Sequence, residues 1–311
     1  MSSVVATISS VFIYVLIGYF LKKINIIPIK IEKIFTNISF NILLPLALIT
    51  YFWLITFPDI FILKFLISFF GAGIFIFILS FSIGKQFLNF KIDDSAIFGL
   101  GACFGNSVAL GIPLMYSILG PVNAMPYMIL VLFHGIIHFT YTTLIIESYR
   151  NRDHSNLKKI IYIALGLAQN ATLAGMFIGL TLNYLNAPFP QTLLIVLKTL
   201  TMFALPTVLV SMGMGLASFK IDSDFSHSLI LTTLKNFIYP LIAFVLAKYI
   251  FILSPMLIFI VTMAAALPSG TQTYYFSFRY NSLQKTISAN VVISTFISFF
   301  TLSFILYIFG Y

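Results

Sequence analysis

The chain has 311 residues, of which 60% are hydrophobic and only 8% are charged, and its mean hydropathy is +1.06. These values lie far outside the range of water-soluble domains and indicate an integral membrane protein in contact with a lipid bilayer. The formal net charge of +9 is spread over short loops, which argues against nucleic-acid binding. No alternating runs typical of an outer-membrane barrel occur, so an all-α polytopic membrane protein is predicted.

Uncharged runs of membrane-crossing length predict ten transmembrane helices. The predicted spans are residues 4–21, 34–55, 61–83, 95–119, 124–147, 160–184, 194–218, 228–251, 256–278 and 286–309. Most of the 17 Lys and Arg residues follow the first, third, fifth, seventh and ninth spans. By the positive-inside rule these loops are cytoplasmic, which predicts a multi-pass protein of the plasma or inner membrane with both termini outside the cytoplasm.

A polar loop at 149–159, YRNRDHSNLKK, leaves five spans on each side, in residues 1–148 and 160–311. Because five is an odd number, the second half must run in the opposite orientation to the first. This arrangement predicts two inverted five-helix repeats, a common construction of secondary transporters. Pro45 in the second span and Pro206 in the seventh support the repeat as a weak echo.

The fourth and ninth spans are interrupted by GNSVALGIP (105–113) and ALPSGTQTYY (266–275). Proline removes a backbone hydrogen bond and glycine weakens a helix, so helix breaks are expected at Pro113 and Pro268. Paired breaks in two halves indicate a transporter's binding site, and the alternative is a pair of ordinary proline kinks. The predicted substrate-binding residues at the breaks are Asn106, Ser107, Gly111, Pro113, Pro268, Ser269, Gly270, Thr271 and Gln272.

The expected ligand of these breaks is an anion. Helix N-termini present unpaired N–H groups and about half a positive charge, and all eight acidic residues fall in loops or at predicted helix ends. His134 and His138 share one face of the fifth span and are further predicted binding residues. They bind substrate, carry a coupling proton, or bond neighbouring carbonyls. No metal or cofactor is expected, because His154 and His227 fall in loops and leave no third ligand.

Four other polar residues inside predicted spans are weaker candidates. Asn41 and Asn170 either satisfy helix packing or touch substrate. The third and eighth spans each hold a lysine just inside their first turns, Lys64 and Lys235, which is another weak echo of the repeat. Lys235 is predicted to snorkel to the cytoplasmic face, with anion binding as the alternative.

Taken in order, seven stretches of the sequence resemble the auxin efflux carrier (AEC/PIN-like) family, within the bile-acid/arsenite/riboflavin transporter superfamily. That family includes plant PIN proteins and bacterial malate and malonate permeases. The stretches are IGYFLKKINII, FNILLPLALI, GNSVALGIPLMYSILG, LGLAQNATLAGMFIGLTLN, LPTVLVSMGMGLA, LKNFIYPLIA and ALPSGTQTYYFSFRYN.

The resemblance implies an NhaA- and bile-acid-symporter-like fold, in which the broken fourth and ninth helices cross at their prolines. It implies a scaffold domain of helices 1, 2, 6 and 7, often forming a homodimer, and a core transport domain of helices 3–5 and 8–10. Asn106 matches a residue that helps to hold the carboxylate in such relatives, and His134 falls near a second polar position. The implied function is elevator-type alternating-access transport of a small organic carboxylate such as malate, malonate or an auxin-like acid.

Several alternatives remain open at this stage. The carrier could be a uniporter, or a symporter that couples an organic acid to H⁺ or Na⁺. A channel or an intramembrane enzyme is the other alternative. The enzyme is disfavoured because the sequence has no HExxH or GxSxG motif and no carboxylate pair inside a span.

Overall fold

The computed structural model describes residues 2–54, 62–150, 171–219 and 225–311. This part of the chain is all-helical and contains no β-strand, which confirms the all-α prediction. The helices are α1 (Ser2–Lys23), α2 (Ile29–Leu54), α3 (Ile62–Gln86), α4 (Ile92–Cys103), α5 (Ser107–Asn123), α6 (Met125–Arg150), α7 (Ala171–Tyr184), α8 (Gln191–Ser218), α9 (Phe225–Ile250), α10 (Pro255–Ala266), α11 (Thr271–Tyr280) and α12 (Gln284–Phe309).

Six of these helices, α2, α3, α6, α8, α9 and α12, are long and apolar enough to cross a membrane. Helices α5, α7 and α10 are apolar but shorter. Asn170, His154, the beginning of the predicted sixth span and most of the predicted linker 149–159 lie outside the described residues.

Helix α2 begins earlier than the uncharged run predicts. The uncharged run predicts a start at residue 34, whereas the helix starts at Ile29, directly after Pro28. Lys30, Glu32 and Lys33 therefore lie in its first turns. Residues 29–38 are amphipathic, and a search for uncharged runs excludes such a segment although it is a good helix.

Three prolines inside helices follow a widened, π-helical turn. Proline has no N–H and its ring clashes with the carbonyl four residues earlier, and a widened turn relieves that clash. The turns and their prolines are Ser39–Leu43 before Pro45, Ser107–Gly111 before Pro113, and Leu234–Ile238 before Pro240. The chain stays helical through Pro113, so the break predicted there is not found at that residue.

The interruption in this region instead covers residues 104–106, seven to nine residues before Pro113. Helix α4 ends at Cys103, and Phe104 is extended with φ −83° and ψ 111°. The second interruption separates α10 from α11 and contains Pro268. Both predicted spans are thus discontinuous, although only one breaks at its proline.

The helices pack most closely within two groups. In one group, α1 packs along α8, and α2 packs against α7 and α8. In the other, α3 packs against α4, α4 against α6, and α9 against α10 and α12. Large buried side chains fill the second group, including Phe65, Phe69, Phe98, Tyr239 and Phe259.

Polar contacts join three helix ends of the second group. Arg150, the last residue of α6, donates from Nη2 to Asp93 Oδ2 (2.6 Å) at the start of α4 and to the Tyr280 carbonyl (2.8 Å) at the end of α11. Ser282 Oγ donates to Asp94 Oδ1 at 2.6 Å. These charge-assisted bonds fix the ends of α4, α6 and α11 relative to one another.

Candidate binding site at the helix crossing

The two interruptions meet. The Asn106 N–H donates to the Pro268 carbonyl (2.8 Å), and the Gly270 N–H donates to the Phe104 carbonyl (2.9 Å). These two bonds form an antiparallel bridge between Gly105 and Ser269, which we call the crossing. Unpaired backbone groups in hydrocarbon cost several kcal/mol each, so the two unwound segments stabilise each other by supplying these partners.

Gly270 allows the two chains to approach this closely. A Cβ added there would lie 2.7 Å from Phe104 Cδ1 and 2.9 Å from the Gly105 carbonyl oxygen. Since one of these contacts is to backbone, no side-chain rotation would relieve it. Gly270, which is also a predicted substrate-binding residue, is therefore needed for the close packing of the two segments.

Ser269 is hydrogen-bonded to residues of α12 and α4. Its N–H donates to Ser294 Oγ (3.0 Å) and its Oγ donates to the Gly101 carbonyl (3.1 Å). Asn290 Nδ2 donates to the same Gly101 carbonyl at 3.2 Å. Helix α12 therefore supports the crossing, and Ser269 is fully buried in this network.

Four helix ends come together here. Helices α5 and α11 begin at the crossing, and α4 and α10 end there. The first amides of an α-helix have no acceptor within the helix, and its N-terminus carries about half a positive charge. The starts of α5 and α11 thus present N–H groups and positive potential to the same region.

A cavity of about 690 Å³ leads to these N-termini, and we call it the vestibule. It lies between α2, α7 and α8 on one side and α5 and α11 on the other. Its polar lining includes Asn37, Asn41, Ser211, Thr271 and Gln272. Lys33 and Glu32 also line it, and Glu32 forms an ion pair with Lys22.

A second cavity of about 50 Å³, the inner cavity, lies against the crossing. Its lining includes Phe104, Gly105, Ser107, Val108, His134 and Gln272. Gln272 borders both cavities and so stands between them. Among the residues that the structure describes, no carboxylate lines the inner cavity.

Asn106 makes a weak side-chain contact. Its Nδ2 donates to the thioether sulfur of Met212 at 3.4 Å, and Met212 lines the vestibule. A thioether is a weak acceptor, whereas a carboxylate is a strong one. Asn106 is 2% exposed, so a ligand must displace Met212 to reach the amide.

The two histidines occupy different surroundings. His134 Nδ1 lies 3.3 Å from Ser107 Oγ, and its ring packs on Phe104 with centroids 4.3 Å apart. His138 donates from Nδ1 to the His134 carbonyl at 2.8 Å and borders neither cavity. The Nε2 atoms of both rings are buried without a partner in the described part of the chain.

Gly111 and Pro113 line neither cavity, and the same holds for Asn106, Pro268, Ser269 and Gly270. A Cβ on Gly111 would lie 1.8 Å from the hydroxyl oxygen of Tyr127, which donates to the Ser107 carbonyl at 2.6 Å. Gly111 therefore makes room for the tyrosine that supports the start of α5. Pro113 is buried in the first turn beyond the π-helical turn and lines neither cavity.

Lys235 differs most from its predicted position. It is 0% exposed, and its Nζ donates to the Ala265 carbonyl at 2.6 Å, so it does not snorkel. Lys64 is exposed near the start of α3, and the predicted correspondence between the two lysines is not found. A lysine seven residues beyond the start of the predicted span 228–251 is the sequence signal that could have indicated burial.

Discontinuous helices that cross inside a helical membrane bundle, with a polar vestibule leading to their N-termini, are the construction of a membrane transporter. The chain belongs to the family described as Membrane transport protein, which it matches over residues 3–306. This confirms the resemblance to the auxin efflux carrier family.

Two relatives illustrate the match. The chain is 25% identical over 295 residues to an uncharacterized transporter of Methanocaldococcus jannaschii, covering 92% of each protein. It is 22% identical over 248 residues to a Rhizobium meliloti protein named "Putative malonate transporter", covering 78% of this chain and 76% of the relative.

Proposed function

We propose that this protein is a secondary carrier that moves a small organic carboxylate across the membrane by elevator-type alternating access. The observation that carries the proposal is the crossing, where two helix N-termini face a polar vestibule. Opposed positive helix ends favour an anion, and no carboxylate among the described residues lines the inner cavity to repel one. The name of the Rhizobium relative makes malonate the first substrate to test.

The carboxylate enters through the vestibule and binds at its inner end. There it accepts hydrogen bonds from the first amides of α5 and α11 and from the side-chain amide of Gln272. Asn106 exchanges its weak bond to Met212 for a charge-assisted bond to the substrate. Ser107 and His134 complete the inner cavity and contact the part of the anion that reaches it.

Alternating access requires two bodies that move against each other. We assign α1, α2, α7 and α8 to a scaffold and the remaining helices to a core, in the two inverted repeats of a ten-span protein with both termini outside the cytoplasm. The vestibule lies between these bodies. Near the C-terminal ends of α2 and α5, the Tyr51 hydroxyl on α2 donates to the Pro121 carbonyl at 2.7 Å and links the two bodies there. The scaffold is also the surface through which we expect a homodimer.

The test is uptake by the purified protein in proteoliposomes. Radiolabelled mono- and dicarboxylates, including malonate and malate, are offered with and without imposed sodium, proton and voltage gradients. We expect saturable uptake of at least one small carboxylate and none of organic cations of similar size. Unsaturable flux would instead support a channel, and absence of flux for every carboxylate under every gradient would refute the proposal.

Replacing Asn106 by alanine should weaken substrate binding. A hydrogen bond to a charged group is worth about 1.5–3 kcal/mol, so the half-saturation concentration should rise about ten- to a hundredfold. The unfolding temperature should change little, because within the described residues the Asn106 side chain makes only the weak bond to Met212. Asn89→Gly, in an exposed turn with φ 56°, removes an amide elsewhere and serves as the control. Unchanged half-saturation in Asn106→Ala would remove this residue from the site.

A further inference from the structure

Lys235 is a buried lysine to which the proposed binding scheme assigns no role. It lies in the middle of α9, in the π-helical turn Leu234–Ile238, and its side chain is 0% exposed. Taking an ammonium group out of water costs several kcal/mol unless the surroundings compensate for it. Groups around Lys235 must therefore offset this cost.

The ammonium group lies at the crossing. Its Nζ donates to the Ala265 carbonyl at 2.6 Å and lies 4.8 Å from the ring centroid of Tyr239. A Cβ added to Gly105, in the broken segment of the other half, would be 3.6 Å from Nζ. Within the described part of the chain, Lys235 forms no ion pair with a carboxylate.

Two helix C-termini lie beside this ammonium group. Helices α4 and α10 both end at the crossing, at Cys103 and Ala266. Each C-terminus carries about half a negative charge on carbonyls that lack partners within the helix. Two such ends add to about one negative charge, which the single positive charge of Lys235 balances. The Ala265 carbonyl that it binds belongs to the last turn of α10.

We propose that Lys235 is a built-in cation that neutralises the two converging helix C-termini, in the position that a bound monovalent cation would otherwise take. One consequence of this assignment depends on the proposed carrier function. If the protein is an anion carrier, its transport needs no sodium ion at the crossing. The positive N-termini of α5 and α11 then remain available for the substrate anion.

The alternative is that Lys235 is a buried charge that merely costs stability. Replacing a buried charge by a well-packed apolar side chain of similar volume is often neutral or stabilising. Lys235→Met keeps most of the volume and removes the charge, so the two explanations predict opposite signs. If Lys235 balances the C-termini, methionine lowers the unfolding temperature. If it balances nothing, methionine leaves that temperature unchanged or raises it.

The experiment measures thermal unfolding and carboxylate uptake for the full chain, Lys235→Met, Lys235→Ala and the control Lys248→Met. Lys248 is an exposed lysine on the same helix, with its ammonium over the rings of Phe244 and Tyr249. Each protein is tested in choline chloride, in sodium chloride and in methylammonium chloride. Methylammonium is a probe small enough to occupy the space that Lys235→Ala leaves.

The wild type and Lys248→Met should unfold and transport equally in choline and in sodium. In choline, Lys235→Met should unfold at a lower temperature and its uptake should fall about tenfold or more. In Lys235→Ala, sodium or methylammonium should restore part of both properties, which a purely structural loss of packing would not allow.

Two results would overturn the proposal. One is a wild-type protein whose uptake depends on sodium, or whose unfolding temperature is higher in sodium chloride than in choline chloride. This comparison uses only the wild type, so it tests the proposal even if the Lys235 variants do not fold. The other is a Lys235→Met protein as stable as the wild type in choline. Because the unfolding measurements need no substrate, they test Lys235 even if no carboxylate is transported, and the two proposals can therefore fail separately.

Discussion

Gly270→Ala is expected to abolish carboxylate uptake and to lower the free energy of unfolding by about 1–3 kcal/mol. The added methyl group would lie 2.7 Å from Phe104 Cδ1 and 2.9 Å from the Gly105 carbonyl oxygen, and both distances are too short for real contacts. The two broken segments must therefore separate. Separation lengthens the Gly270–Phe104 and Asn106–Pro268 hydrogen bonds and moves the N-termini of α5 and α11 away from each other.

The matched control is Gly71→Ala. Gly71 lies in the middle of α3, and a Cβ there would meet only Leu246 Cδ1 at 4.0 Å, an ordinary contact. Alanine is also the better helix former, so this variant should be as stable as the wild type or slightly more stable. Normal uptake and stability in Gly270→Ala would show that the crossing tolerates separation, which would contradict its role as the fixed point of the site.

The existence of the two interruptions could be predicted from the sequence, but the position of the first could not. Glycine and proline indicate where a helix is weak, and both segments contain them. At Pro113 the chain accommodates the ring with a π-helical turn and stays helical. The break falls at residues 104–106 because Asn106 and Phe104 find backbone partners on the other broken segment. Local sequence carries no information about such a partner.

The depth of polar side chains also depends on packing between distant elements. The sequence places His134 and His138 on one helix face, and their rings do adjoin, with centroids 4.6 Å apart. Only His134 borders the inner cavity, because His138 turns its Nδ1 to a carbonyl of its own helix. Lys235 likewise avoids the membrane surface because the end of α10 offers it a carbonyl 30 residues away in sequence.

Part of the vestibule lies outside the predicted site for a different reason. Asn37 and Lys33 line it from the first turns of α2, but Lys33 precedes the predicted span 34–55 and Asn37 lies near its start. Ser211 and Met212 line it from α8, where one serine in an apolar helix looks like ordinary packing. Their role becomes visible only when α2, α8 and α11 surround one cavity.

Gln272→Glu should separate binding from folding more sharply than any other change at the site. Gln272 is the second residue of α11 and borders both cavities. A carboxylate at a helix N-terminus is favourable by about 0.3–1 kcal/mol, so the unfolding temperature should stay the same or rise. The same carboxylate would compete for the amides that we assign to the substrate. Like charges in close contact cost several kcal/mol, so the substrate's half-saturation concentration should rise about a hundredfold or more.

Two further variants make the result specific. Gln272→Ala removes the amide without adding charge, and it should weaken binding only about tenfold. Gln86→Glu, at the exposed end of α3, adds the same charge away from the cavities and should leave uptake unchanged. A Gln272→Glu protein with wild-type affinity for carboxylates would mean that the anion does not bind at the start of α11. The site would then have to be sought elsewhere along the vestibule, since a negative charge at that position would be incompatible with a bound anion beside it.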